Sequence, residues 1–251
     1  MNVKLIAHTA LSIDFLSRLP FDLYGEFRDA NDRQAVALTA IRTCYSPNAP
    51  SEILTLEGAK YFGQSASDGE AGTEADRLFR HIVRSGHAST LEHLTYTFAI
   101  EGVSRALLAQ LTRHRQFSFS VQSQRYVKFG SGDKAGGFDY VTPKSLGGKY
   151  STANGGATAD EVYEDFMGIA QAYYNELRRV GVPAEDARFV LPNAAACNIV
   201  MTANLRAILE FYSKRNASTH AQWEIAELAE SIRGEIEKVD AWITPYFGVQ
   251  A

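Results

Sequence analysis

Between Gly102 and Gly132 the chain holds no aspartate or glutamate, yet Arg105, Arg113, Arg115, Arg125 and Lys128 all fall there, a local charge of +5 with His114 in its middle. Four of those five cations are arginine. The guanidinium fork matches phosphate and carboxylate oxygens with paired hydrogen bonds, which an ammonium does less well. Amides and hydroxyls of Gln110, Gln116, Ser118, Ser120, Gln122, Ser123 and Gln124 are interleaved with the cations. Cations packed among neutral donors describe a pocket for a small, phosphorylated, hydrogen-bonding ligand. A solvated basic face is the plain alternative.

Other reactive side chains carry weaker signals. Cys44 and Cys197 are too few for a disulfide scaffold or a thiolate-rich zinc site, and both read as buried, inert thiols. Ser123 has no His/Asp pair at a recognisable spacing to make it a nucleophile. His87, Glu92 and His93 lack the helical His-Glu-x-x-His spacing of a zinc protease, so no metal is expected. His220 and Trp223, taken alone, suit a helix start and a core position.

The whole chain bounds the setting. Its 251 residues carry 25 Lys and Arg against 29 Asp and Glu, a net charge of −4. That balance gives no reason to expect nucleic acid or an anionic membrane as partner. No apolar run is long enough to span a bilayer, and Met-Asn-Val-Lys-Leu-Ile-Ala-His turns polar too soon for a secretory signal. The expected location is the cytoplasm. A rival of another class is a nucleotide- or RNA-binding module without catalysis, with Phe117, Phe119 and Tyr126 as stacking surfaces.

The elements around the basic run can be read from periodicity and caps. Residues 32–42 read as a helix and the Gly/Ser/Asp-rich residues 63–73 as a loop. Thr73 with Asp76 forms a capping-box pattern for a helix through Val83 that Gly86 ends. Leu94–Ile100 alternates as a strand, and Ser104–Thr112 suits a helix that delivers the chain to the basic run. Residues 130–156 hold eight glycines and read as a long mobile loop. Thr158 and Glu161 cap a long helix whose buried face is expected at Val162, Phe166, Ile169, Tyr173 and Leu177. Pro183 opens a short helix to about Val190, Cys197–Thr202 is a short strand, and Asn204 caps the next helix. Thr219 with Gln222 is expected to start the last one. With no repeat or linker, the chain reads as one α+β domain over 1–251, a central, mostly antiparallel sheet flanked by helices.

Arg113-His114-Arg115, seven residues, then Ser123-Gln124-Arg125 resembles the defining motif of the flavin-dependent thymidylate synthases. Arg42-Thr43-Cys44-Tyr45-Ser46, Gly86-His87-Ala-Ser89-Thr-Leu-Glu92-His93, Ala187-Arg188-Phe-Val-Leu191-Pro192, Asn204-Leu-Arg206, Arg215 and His220-Ala-Gln-Trp-Glu-Ile resemble further segments of that family, in the same order. The resemblance implies methylation of dUMP to dTMP, with 5,10-methylenetetrahydrofolate as carbon donor, FAD as hydride carrier and NADPH as its reductant. It also implies a homotetramer with active sites across subunit contacts, and no cysteine nucleophile. A flavoprotein of the same fold acting on another pyrimidine nucleotide is the closer rival.

By motif position the resemblance assigns Gln110, Arg113, Ser123, Arg125 and Arg188 to dUMP, with backbone groups of Val121, Gln122 and Gln124. Arg215 is implied to be the catalytic cation that promotes ionisation of the pyrimidine N3–H. Ser89, Glu92, Arg113, His114, Arg115, Gln116, Asn204 and Arg206 are implied to hold FAD, and His87 to serve the flavin and folate region. The chain departs from the family at Ser120-Val121, where many members have Asn-Glu, at Glu210, where a neutral group is usual, and in five residues from Arg215 to His220 instead of four.

Overall fold

A computed structural model describes residues 1–19, 31–153 and 155–248. Asn154, within the expected loop, lies outside the described residues. Four strands, β1 (Asn2–His8), β2 (Thr95–Ser104), β3 (Ser118–Val121) and β4 (Ala196–Asn204), form one sheet in the order β1-β2-β4-β3. Thr97 Oγ1 lies 2.9 Å from Thr202 Oγ1, while the Gly102 amide donates to Asn198 Oδ1 at 3.1 Å. Partners descend along β4 as β2 climbs, so the central pair is antiparallel. Tyr96, Phe98 and Ile100 alternate into the core from β2, and Cys197, Ile199, Met201 and Ala203 do so from β4. The helices are α1 (Asp32–Thr43), α2 (Ile53–Phe62), α3 (Glu74–Arg84), α4 (Arg105–Leu111), α5 (Ala159–Arg179), α6 (Leu205–Arg215) and α7 (Trp223–Glu237), with shorter turns between. The α+β class is as expected.

The chain groups into two compact units, each threaded from separate segments. One comprises Met1–Asn2, Ile100–Arg113 and Phe119–Val200; the other comprises Val3–Ala99, His114–Ser118 and Met201–Ala251.

In the second unit, capping boxes open α1 (Asn31 with Gln34) and α3 (Thr73 with Asp76), each satisfying amides that a helix start leaves unpaired. Gly86 takes φ +70° just past α3, a conformation costly for any residue with a Cβ. Asn204 ends β4 and caps α6, its Oδ1 accepting from the Ala207 amide at 2.9 Å. The last helix begins differently from expectation. Gln222 caps α7 through Oε1, while the Thr219 hydroxyl donates to the Asn216 carbonyl and accepts from the Ala221 amide, short of the helix.

In the first unit, the long helix turns another face inward. Met167, Ala170 and Tyr174 are buried with Phe129, Phe138 and Ala195, whereas Phe166, Ile169 and Tyr173 are 52, 53 and 63% exposed. The expected stripe is thus corrected at Phe166, Ile169 and Tyr173, whereas Leu177 is partly buried against this cluster. The glycine-rich segment takes the inner face, and α5's polar groups satisfy its backbone. Gln171 accepts from the Phe138 amide at 2.9 Å and donates to the Phe129 carbonyl at 2.8 Å, and Tyr163 donates to the Val141 carbonyl at 2.7 Å. A Cβ on Gly137 would come within 2.8 Å of Gln171 Oε1, so glycine lets this stitch form.

Candidate active site

In the first unit α4 delivers Gln110 on its last turn, and Arg113 lies two residues beyond the helix end. The chain then reaches β3, and past Val121 the Gln122 amide donates to the Asn198 carbonyl at 2.8 Å, anchoring the start of the Ser123 turn to β4. Ser123 builds that turn. Its Oγ accepts from the Arg125 amide at 3.2 Å and its carbonyl from the Val127 amide at 3.0 Å. A hydroxyl held as acceptor keeps its proton available for an incoming oxygen. Gln124 is buried inside this turn, and Arg125 points outward.

Arg125 and Arg188, distant in sequence, meet at one residue. Arg125 Nε donates to Glu185 Oε2 at 3.1 Å, and Arg188 Nε donates to the Glu185 carbonyl at 2.9 Å. Glu185 lies on the short helix Ala184–Ala187, and no motif in the sequence marks it. Nothing in a sequence reading pairs it with an arginine 60 positions away.

The second unit arranges its candidates along α6. Arg206, in the first turn, donates to Glu92 at 2.6 Å, and Glu92 belongs to the 3₁₀ turn Ala88–His93 that also carries Ser89. The Leu205 amide donates to the Leu94 carbonyl at 2.8 Å, fixing the helix start beside that turn. At the other end Arg215 Nε points to His114 Nε2 at 3.4 Å, a long contact in which arginine must be the donor. His114 lies edge-on to Phe211 (4.9 Å between centroids) and stacked with Phe117 (5.7 Å). Asn204 spends its side-chain oxygen on the α6 cap. Glu210 holds Lys214 at 2.5 Å. That bond keeps its carboxyl below the ordinary glutamate range against the opposing effect of burial, so Glu210 is an anion already engaged.

His87 opens the Ala88–His93 turn, with Tyr45 Oη 2.9 Å from its Nδ1. Arg113 and Arg115 are exposed and form no ion pair among the described residues, and Gln116 is exposed beside them. The dUMP set therefore falls in the first unit apart from Arg215. The FAD set falls in the second apart from Arg113. Cys197 is buried on β4, but Cys44 is exposed just past α1, which corrects the expectation that both are buried. Among the described residues, no group of three or more His, Cys, Asp and Glu could hold a metal ion.

Over residues 27–241 the chain matches the family described as thymidylate synthase complementing protein. It is 40% identical over 198 residues to the flavin-dependent thymidylate synthase of Geobacter sulfurreducens, covering 79% of this chain and 75% of that one. The chain belongs to the flavin-dependent thymidylate synthase family.

Another family member, from Nitratidesulfovibrio vulgaris, is 44% identical over 166 residues, which span 63% of this chain and 62% of the relative's own length. The family member of Clostridium tetani is 33% identical over 224 residues, 86% of this chain and 82% of that one. In fold, the chain is similar to a UMP/dUMP methylase, PolB of Streptomyces cacaoi, bound with 5-Br dUMP. That likeness has a TM-score of 0.68 at 23% identity and covers 100% of this chain and 97% of the other. The exposed guanidiniums of Arg113 and Arg115 suit a diphosphate.

Proposed function

We propose that this chain converts dUMP to dTMP by reductive methylation, with 5,10-methylenetetrahydrofolate as carbon donor and NADPH-reduced FAD as hydride source. The observation that carries the reading is the intact Arg113–Arg125 motif, whose arginines stay exposed while the Ser123 turn holds its hydroxyl ready. Gln110, Arg113, Ser123, Arg125 and Arg188 bind the nucleotide, with backbone groups of Val121, Gln122 and Gln124. Ser89, Glu92, Arg113, His114, Arg115, Gln116, Asn204 and Arg206 bind FAD, and His87 serves the flavin and folate region. Bound FAD supplies the hydride.

The pyrimidine C5 is a weak nucleophile, and a thiolate added at C6 is one way to activate it. Cys197 is buried on β4, and neither Cys44 nor Cys197 is among the residues assigned to the nucleotide, so activation is assigned to cations instead. Arg215 stabilises negative charge developing on the ring as N3–H ionises, a task suited to a permanently protonated group.

The enzyme works as a homotetramer in the cytoplasm, its active sites completed across subunit contacts. The exposed Phe166, Ile169 and Tyr173 of α5 support an assembled state, because contiguous apolar groups on one chain call for a cover. No described helix is long and apolar enough to cross a membrane.

The test is complementation of a thymidine-requiring strain, backed by dTMP formation from dUMP, methylenetetrahydrofolate and NADPH with purified, yellow protein. UMP is assayed alongside, since the fold neighbour is a UMP/dUMP methylase. A colourless protein that neither binds added FAD nor consumes dUMP overturns the reading. In Arg215→Ala, FAD stays bound while methylation is nearly abolished.

A further inference from the structure

The turn after α1 is held more firmly than its exposure suggests. The Tyr45 and Ser46 amides both donate to the Arg42 carbonyl, at 2.8 and 2.7 Å, and fold the chain back on the helix end. Glu57 of α2 then clamps it by accepting from Arg42 Nε at 2.6 Å, from Asn48 Nδ2 at 2.9 Å and from the Ser46 hydroxyl. Burial raises the Glu57 carboxyl, but these donors outweigh it and hold the group below the ordinary glutamate range. Arg42 also covers the Tyr61 ring at 5.4 Å.

From this clamped turn Tyr45 projects, 59% exposed, and its Oη lies 2.9 Å from His87 Nδ1. The two rings are nearly perpendicular, 86° apart at 5.9 Å. The His87 backbone is fixed as well, since the Thr90 hydroxyl donates to its carbonyl at 3.2 Å. Among the described residues Nε2 of His87 takes part in no hydrogen bond.

We propose that Tyr45 is a positioning residue that holds His87 in its Nε2–H tautomer and aims that N–H at an acceptor of the bound ligand. A phenol has one proton to give, and a neutral imidazole has one nitrogen that donates and one that accepts. With the Tyr45 hydroxyl donating into Nδ1, the ring proton resides on Nε2, the nitrogen facing away from tyrosine. The acceptor it suits is a carbonyl-type oxygen or ring nitrogen on a flat heterocycle. Glu57 acts one step behind, by keeping the turn that presents Tyr45. The inference rests on the placement of His87 in the flavin and folate region, and adds how the protein sets that imidazole's donor.

The test uses the full-length protein labelled with 15N-histidine, with the His87 signal assigned by its loss in His87→Gln. In the wild type Nδ1 should resonate as an acceptor nitrogen and Nε2 as a protonated one. In Tyr45→Phe, which removes one oxygen from an exposed ring, the two should move toward a tautomer mixture at unchanged melting temperature. Kinetically, KM for methylenetetrahydrofolate should rise about ten-fold, the scale of one lost hydrogen bond, while FAD content and KM for dUMP hold. Glu57→Gln should move the spectrum and KM the same way by less. A wild-type spectrum with the proton on Nδ1, or a Tyr45→Phe spectrum identical to wild type, overturns the proposal. If the wild type makes no dTMP, the synthase reading fails by itself, and the tautomer measurement still decides the role of Tyr45.

Discussion

Two sets of arginines face opposite physical demands. Arg33 is buried and every arm of its guanidinium is engaged: Nε with Asp240 at 2.6 Å, one terminal nitrogen with His8 Nδ1 at 2.9 Å, the other with the Val239 carbonyl at 3.1 Å. Asp240, fully buried, takes two donors on each oxygen, from Arg33 and Tyr96 on one and Asn31 and Trp242 on the other. Arg113, Arg115 and Arg125 stand the other way, exposed, and among the described residues only Arg125 of the three is ion-paired, through Nε to Glu185. A charge taken out of water must be fully partnered or it costs several kcal/mol. A charge meant for a ligand must keep donors unspent. The closed set holds the fold, and the open set is the one proposed to bind.

Removing a charge from each set separates the two roles. In Asp240→Ala the Arg33 guanidinium remains buried without its anion, and Tyr96 loses its acceptor. Stability should fall by about 3–5 kcal/mol, read from urea unfolding, and soluble yield should fall with it. A change below about 1 kcal/mol would mean that water or a neighbour replaces the carboxylate, and the closed description would be wrong.

Arg113→Ala should do the reverse, leaving the urea midpoint where it was and costing turnover about 100-fold, because a charge-assisted contact is worth about 1.5–3 kcal/mol and Arg113 is assigned two ligands. Arg125→Ala should be milder and narrower. The dUMP dissociation constant should rise about 10-fold with FAD content unchanged, and losing the exposed Glu185 pair should cost stability under about 1 kcal/mol. Equal loss of FAD and dUMP binding in Arg125→Ala would show that the assignment of ligands to arginines is mistaken.

How far the sequence could be read obeys the same division. Features made by neighbours along the chain were legible. Thr73 with Asp76 and Thr158 with Glu161 cap their helices as their spacing implies, and the alternation from Leu94 becomes β2. Pairings across long separations were not, including Arg125 with Glu185, Tyr45 with His87 and Arg33 with Asp240. The helix α2 is illegible because Glu52 caps it with no side-chain bond, so no start signal exists. The edge strand β1 is illegible because only alternate residues are half-buried, a weak pattern among polar neighbours. On α5 two apolar stripes share one helix, and periodicity alone cannot say which of them the Phe129–Val141 segment covers. The arginine motif was legible because it is local. The contacts that orient its side chains were not.

An acid titration probes a third arrangement, the half-closed Glu57 clamp. Its pKa is lowered in the folded protein, so the clamp contributes stability above the ordinary glutamate range and loses it as pH falls through the folded value. Between those two values Glu57→Gln should flatten the acid limb of the stability curve, because the unfolded chain no longer binds that extra proton. An unchanged acid slope would show that the clamp carries no net proton linkage.

The smallest expected effect tests the chemistry most directly. The double variant Cys44→Ala/Cys197→Ala removes both thiols of the chain. Cys44 is exposed, so its loss should leave stability within about 0.5 kcal/mol, while a small cavity beside β4 in place of Cys197 should cost about 1 kcal/mol. Turnover should stay within about two-fold once folded protein is counted, because the proposed route activates C5 by charge on the ring and forms no bond to sulfur. A nucleophilic thiolate would behave otherwise. Its removal would stop methylation in a protein that still binds dUMP and FAD, and a covalent dUMP adduct would be trapped on the wild type but not on the variant. If either cysteine proves necessary in that way, the open arginines bind substrate without activating it, and the distinction between closed and open charge would explain recognition but not catalysis.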